Sequence, residues 1–141
     1  MDGNLEIFQD FEKILKIIIE EGFKSVAVYG CSGLEQDHFL GNLNSMLKHK
    51  NEIEIRCFDD FGFYFFAENS MEITGFKDEI ISLFPFPEAK SVFSKGVKYP
   101  LDDEDLSITT RIGTRNTITG NTAHIRFKSG NLLVFVQSTN L

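Results

Sequence analysis

Tryptophan is absent from the 141 residues, and fifteen phenylalanines make up most of the aromatic set, so much of the core is expected to be phenylalanine. Cysteine is scarce: Cys31 and Cys57 are the pair, in segments that read as a strand end and a strand. Two reduced thiols in a cytoplasmic protein are expected, with a disulfide as the lesser reading. Positive charge is also short. Fourteen Lys and Arg against twenty-one Asp and Glu leave a formal net charge of −7. That argues against a generic nucleic-acid binder, because phosphate backbones are held by clustered cations. A local nucleotide site survives the test, since backbone N–H groups and a bound cation can hold a triphosphate. Long apolar runs are missing as well. The longest, residues 14–19 and 132–136, are too short to cross a bilayer, and no membrane partner is expected. Residues 1–6 lack the basic start and apolar run of a secretory signal, so a cytoplasmic location is expected.

What is present, 42% hydrophobic and 25% charged residues, is the composition of a folded soluble protein. The length suits one ordinary domain or two small ones sharing an interface. Residues 10–21 read as an amphipathic helix, with Phe11, Ile14, Leu15 and Ile18 opposite Glu12, Lys13, Lys16 and Glu20. Asp10 stands at its N-cap and Gly22 at its C′ stop. Residues 24–29 follow as a strand ending in Gly30. Residues 36–48 read as a second helix with Phe39, Leu40, Leu43, Met46 and Leu47 as its buried stripe. Residues 52–58 and 63–67 are further strands around a turn at 59–62. A parallel pairing of 24–29 with 52–58, through a right-handed crossover, makes 1–69 a truncated α/β part.

From Met71 the character changes to short strands at 71–74, 80–84, 106–110, 122–128 and 132–137. Turn signals at 85–87, 102–103 and 129–131 separate them. Ala123, Ile125 and Phe127 share one face of their strand and His124, Arg126 and Lys128 the other, as in a half-buried antiparallel strand. The expected fold class is therefore α/β followed by all-β, with an antiparallel β-sandwich over 70–141.

Three segments are candidates for chemistry. Gly30-Cys31-Ser32-Gly33-Leu34-Glu35-Gln36-Asp37-His38 is a strand, a glycine-bearing loop and a helix start, the geometry that offers unpaired N–H groups to an anion. Asp37 in the first turn suits the helix dipole and a cation, and His38 and Asn42 share a helix face. Short glycine patterns recur freely, so an ordinary βα loop is the commoner reading. In residues 95–101, Tyr99 on an extended segment offers its ring to a flat ligand, or packs in the core as most such aromatics do. Residues 111–121 form a polar loop in which Thr114 and Asn116 can supply hydrogen bonds, though loops are polar in any case. The acids Asp59 and Asp60 read as a turn, and the run 102–105 as a solvated loop.

Two of these segments gain meaning together. Lys95-Gly96-Val97-Lys98-Tyr99-Pro100-Leu101, then Asp105-Leu106, Gly113-Thr114-Arg115-Asn116 and Gly130-Asn131-Leu132-Leu133-Val134, resemble in order and spacing the "kGlkYpL", acidic, "SN" and closing-strand segments of thiamine pyrophosphokinases. More loosely, Gln9-Asp10-Phe11-Glu12 and Gly30, Gly33, Asp37, His38, Leu40 and Asn42 follow that family's helix start and its "G-a-x-G-G-R-x-D-H-x-L-x-N" segment.

The resemblance implies transfer of pyrophosphate from ATP to thiamine, giving thiamine diphosphate and AMP. It implies Asp10 and Asp37 as catalytic and Mg²⁺-holding residues, with Gly30, Ser32, Gly33, His38 and Asn42 on the ATP side. Tyr99, Thr114 and Asn116 are the implied thiamine contacts, in a homodimer that shares the site. The chain departs from the pattern in several places. It has no "G-D-x-D-S" acidic motif, Ile7 falls about where an acid is usual, and Gln9 replaces the Thr before Asp10. Leu34 replaces the second glycine, Glu35 reverses the charge of an arginine, and Arg115 stands for a Ser. The expectation is thus a thiamine pyrophosphokinase, with a catalytically impaired dimeric thiamine-binding module as the rival reading.

Overall fold

The computed structural model describes residues 3–31 and 35–138, with side chains from Phe11 onward. The chain divides into two compact units, Met1–Asp60 and Phe61–Leu141.

In the first unit, α1 (Gly3–Glu20), β1 (Ser25–Tyr29), α2 (Gln36–His49) and β2 (Glu54–Asp59) follow one another. Asp10 lies inside α1 and not at its N-cap, because the helix begins at Gly3. The C-terminus is a Schellman closure. Gly22, at φ 89, donates to the Ile19 carbonyl, and Phe23 donates to Ile18. Of the apolar stripe, Leu15 is buried and Phe11 and Ile18 are partly covered, while Ile14 is exposed. The buried face of α2 is more polar than the apolar spacing predicts. Leu40 is exposed, and His38, Asn42, Ser45 and His49 are buried beside Leu43 and Met46. Glu12 of α1 accepts from Lys48 at 3.5 Å and faces His49 Nε2 at 3.4 Å, joining the two helices. Strands β1 and β2 pair in parallel from Ser25↔Glu54 to Tyr29↔Phe58, and the last pair stacks its rings at 5.2 Å.

The second unit is all strand: β3 (Gly62–Phe66), β4 (Ser70–Thr74), β5 (Ile80–Lys95), β6 (Glu104–Ser107), β7 (Gly113–Thr117), β8 (Thr122–Arg126) and β9 (Ser129–Gln137). All pairs are antiparallel, in the order β3-β9-β5-β8-β4, with β6 and β7 also on β5. The sixteen-residue β5 organises the unit. It runs through Pro85-Phe86-Pro87, where the sequence predicts a turn. The prolines fall in a register shift between Pro85 and Ala89, where the ladder with β9 loses donors without ending. β9 likewise starts at Ser129, inside the expected turn. A Cβ on Gly130 would lie 2.1 Å from the Glu88 carbonyl oxygen, so only glycine fits that approach.

Two further expectations are corrected. Residues 102–105 are not a purely solvated loop: Glu104 opens β6, and Asp103 and Asp105 bond the hydroxyl and amide of Ser91. The core is mainly aliphatic. Phe63, Phe65 and Phe127 are buried, but the most enclosed side chains include Leu106, Ile118, Leu132, Val134 and Val92 and no phenylalanine. Among the described residues, no helix is long and apolar enough to cross a membrane.

Candidate functional site

At the end of β5 the chain turns sharply. Gly96 adopts φ 77, and a Cβ there would sit 2.3 Å from the Thr122 carbonyl oxygen. Its own carbonyl accepts from Thr119 at 2.8 Å and Gly120 at 3.2 Å. Val97 bridges to Ile118, and Lys98 donates to Thr117 at 2.8 Å, which lays residues 96–101 alongside β7. Ser94 fastens the far end, its hydroxyl accepting from Leu101 N at 2.8 Å and its amide donating to the Leu101 carbonyl at 3.0 Å.

Between these anchors Asn116 holds Tyr99 from both sides. Its Oδ1 accepts from Tyr99 N at 3.1 Å, and its Nδ2 donates to Tyr99 O at 2.8 Å. The same Oδ1 accepts from Thr117 N at 2.9 Å. Beside this pairing lies a cavity of about 140 Å³, with Leu83, Tyr99 and Leu101 on one side and residues 111–116 on the other. Tyr99 is exposed, with Lys98 Nζ 5.3 Å from its ring centroid. Arg115 takes φ 57, and its amide donates to Ser82 Oγ at 2.8 Å. Arg111 is held by an ion pair with Glu104. Tyr99, Thr114 and Asn116 are thus brought together, although seventeen positions separate Tyr99 from Asn116. What spacing did not disclose is Leu83, outside the candidate segments, and the strand β7 inside the expected polar loop. A five-residue run of Gly, Thr, Arg and Asn carries almost no strand signal until β5 pairs with it. The unit also carries a larger open groove of about 1010 Å³ flanked by β4 and β8, where Arg126 lies 4.4 Å over the Phe93 ring.

The other candidate lies in the first unit. Gly30, at φ 84, ends β1 with open space around its Cα, and Cys31 after it is buried. Ser32, Gly33 and Leu34 fall outside the described residues, as does the side chain of Asp10. Glu35 is the N-cap of α2 without a side-chain capping bond, and Asp37 Oδ1 accepts from His38 N at 3.0 Å. Ligand atoms of Glu35, Asp37 and His38 lie within 4.8 Å of one another. The Glu35 and Asp37 carboxylates are exposed, which suits a cation such as Mg²⁺ that keeps several waters and takes one or two carboxylates. Glu35, which the resemblance marks only as a charge reversal, therefore joins the possible donor set. His38 and Asn42 are buried, and Asn42 Nδ2 donates to the Cys31 carbonyl at 3.1 Å, tying the helix to the strand end. Cys31 and Cys57 are buried thiols, not joined in a disulfide, with sulfurs 3.2 Å apart. The hydrogen bond from Cys57 lowers the Cys31 pKa against the upward push of burial.

Comparison with known proteins adds the kinship. The family profile "Thiamin pyrophosphokinase, vitamin B1 binding domain" matches residues 69–132. Thiamine pyrophosphokinase of Bacillus subtilis (strain 168) is 28% identical over 137 residues, covering 93% of this chain and 63% of that protein. The crystal structure of the Bacillus subtilis enzyme superimposes with a TM-score of 0.79 at 25% identity, over 91% of this chain and 61% of the other. Thiamin pyrophosphokinase of Geobacillus thermodenitrificans gives 0.83 at 20% identity, over 93% and 62%. The chain spans less than two thirds of the length of these relatives. Its largely strand architecture, with a curled sheet and two helices among the described residues, is theirs. Residues 69–132 thus match the vitamin B1 binding domain type of thiamin pyrophosphokinases, and over nine tenths of its length the chain is similar to enzymes of that name.

Proposed function

We propose that this chain acts in thiamine diphosphate formation, transferring pyrophosphate from ATP to the hydroxyl of thiamine and releasing AMP. The observation that carries the reading is the Asn116–Tyr99 pairing. It sets Tyr99, Thr114 and Asn116 around one cavity inside the stretch that matches the vitamin-binding family. In this reading the cavity takes one ring of thiamine, Asn116 keeps the Tyr99 segment in place, and Thr114 offers a hydroxyl to the ring's polar edge. Residues 70–141 act as the β-sandwich vitamin domain and residues 1–69 as part of an α/β ATP side. Asp37 and Glu35 would hold Mg²⁺, with Asp10 and the 30–34 loop beside them. The ion neutralises phosphate charge when bound. The protein's part is positioning: the vitamin hydroxyl must face the β-phosphorus of ATP, lose its proton and displace AMP. A cytoplasmic homodimer sharing the site completes the proposal.

The second reading is a module that binds the vitamin without turnover. Glu35, at the N-cap of α2, favours it. An acid where a phosphate would meet helix N–H groups repels it by an amount on the order of a kcal/mol. Assay of AMP release with thiamine, ATP and Mg²⁺ decides between them. Turnover lost in Asp37→Ala supports the enzyme. No turnover together with calorimetric thiamine binding supports the module, and absence of both sinks the two readings. Light scattering reports the dimer.

A further inference from the structure

The charges around the small cavity do not suit a free cation. Thiamine carries a fixed positive charge, yet among the described residues no Asp or Glu lines the cavity, while Arg111 and Arg115 both do. Arg111 is neutralised by Glu104. Arg115 has no ion-pair partner among the described residues. Its backbone is pinned by Ser82 Oγ at 2.8 Å in a left-handed turn, which fixes where the exposed side chain leaves the loop. The exposed ring of Tyr99, the natural partner for a cationic heterocycle, already has Lys98 Nζ at 5.3 Å. Arg115 is therefore an unneutralised cation in the cavity lining, and a second cation, Lys98, already lies over the Tyr99 ring. The cavity volume, about 140 Å³, is that of a single-ring site, since an engineered apolar cavity of about 150 Å³ takes benzene. The rest of any larger ligand must lie outside it.

We propose that Arg115 makes this cavity select the phosphorylated forms of the vitamin over free thiamine, the ring entering the cavity and the anionic tail meeting the guanidinium outside it. The inference rests on the vitamin-cavity reading and narrows it. A guanidinium pairs two phosphate oxygens through a planar fork of donors, and a neutral hydroxyl in its place has no such preference. In an enzyme this holds product more tightly than substrate. In a module without turnover it makes the chain a receptor for thiamine phosphates.

Isothermal titration calorimetry on the full chain, with neither ATP nor Mg²⁺, tests it. The titrants are thiamine, thiamine monophosphate, thiamine diphosphate and inorganic pyrophosphate. Both esters are expected to bind about tenfold or more tightly than thiamine, the scale of one charge-assisted hydrogen bond. The gap should shrink in high salt. Arg115→Asn, which tolerates the left-handed backbone, should bring all three vitamin forms within about threefold of one another, with thiamine binding retained. Arg115→Gln carries the same expectation should the first variant melt early. Thiamine binding as tightly as its esters overturns the inference, and so does a preference that survives in a folded variant. Pyrophosphate binding as tightly as thiamine diphosphate also overturns it, because the ring would then contribute nothing. Failure of all three vitamin forms to bind overturns the vitamin-cavity reading as well, which separates the two failures.

Discussion

The Asn116 side chain closes both polar ends of the Tyr99 residue, accepting from its N–H at 3.1 Å and donating to its carbonyl at 2.8 Å. An amide side chain here does what a neighbouring strand does elsewhere, and it does so at the one place where residues 96–101 leave β5. The position of Tyr99 beside the cavity therefore depends on a residue from another strand.

Replacing that side chain tests the dependence. Asn116→Ala removes two side-chain bonds to Tyr99, each with a net contribution of about 1 kcal/mol, so a loss of about 1–2 kcal/mol in urea unfolding is expected. Asn116→Asp keeps the acceptor and loses the donor, leaving the Tyr99 carbonyl unpaired, and should fall between wild type and Asn116→Ala. Vitamin binding should weaken in the same order. An Ala variant as stable as wild type would mean that the pairing contributes nothing.

Two glycines with similar backbones differ in what surrounds them. Gly22 at φ 89 has nothing within 4 Å of a built Cβ, whereas Gly96 at φ 77 has the Thr122 carbonyl oxygen at 2.3 Å. Gly22→Ala should cost about 1 kcal/mol, the left-handed penalty alone. Gly96→Ala adds a collision with backbone that has no room to yield, and about 3 kcal/mol or more is expected. Thermal melts of the two variants provide the comparison, and equal losses would show that the Gly96 turn relaxes freely.

Acid should loosen the α1–α2 contact. Partial burial pushes the Glu12 carboxyl upward, but the His49 hydrogen bond and the Lys48 and Lys16 charges outweigh it and hold its pKa below the ordinary value. A carboxyl depressed in the folded state contributes stability that is fully present above its unfolded pKa and is lost as pH falls through the folded one. The stability difference between wild type and Glu12→Gln should therefore be present above the ordinary carboxylate range and close as pH falls through and below it. Denaturant midpoints across that range are the measurement. A gap that widens in acid would contradict the assignment.

Much of the architecture is legible in local pattern. The core of α1, α2 and the short β1 and β2 strands follow from helical spacing and β-branched runs, and Gly22 marks its stop because only glycine adopts that φ without strain. The Lys95–Leu101 and Gly113–Asn116 segments follow the thiamine pyrophosphokinase pattern in order and spacing, with Arg115 as the departure. Position along the chain is enough for such features, since each is decided by neighbours a few residues away.

Other features are decided at a distance. Pro85 and Pro87 lie inside a sixteen-residue strand because β9 and β6 pair with β5 on either side of them, and that long-range pairing overrides the local turn signal. Residues 113–117 become a strand through pairing with the first half of β5, and Glu104 pairs with Arg111 from a run whose composition suggests only solvent. Leu40 is exposed while His38 and Asn42 are buried, because the face of α2 that packs is chosen by what it packs against. Sequence alone carried the resemblance to thiamine pyrophosphokinases and singled out Tyr99, Thr114 and Asn116 as candidates. The tertiary structure placed them around one cavity and set Arg115 at its edge, because pairing registers and hydrogen bonds between residues far apart in the chain decide which side chains meet.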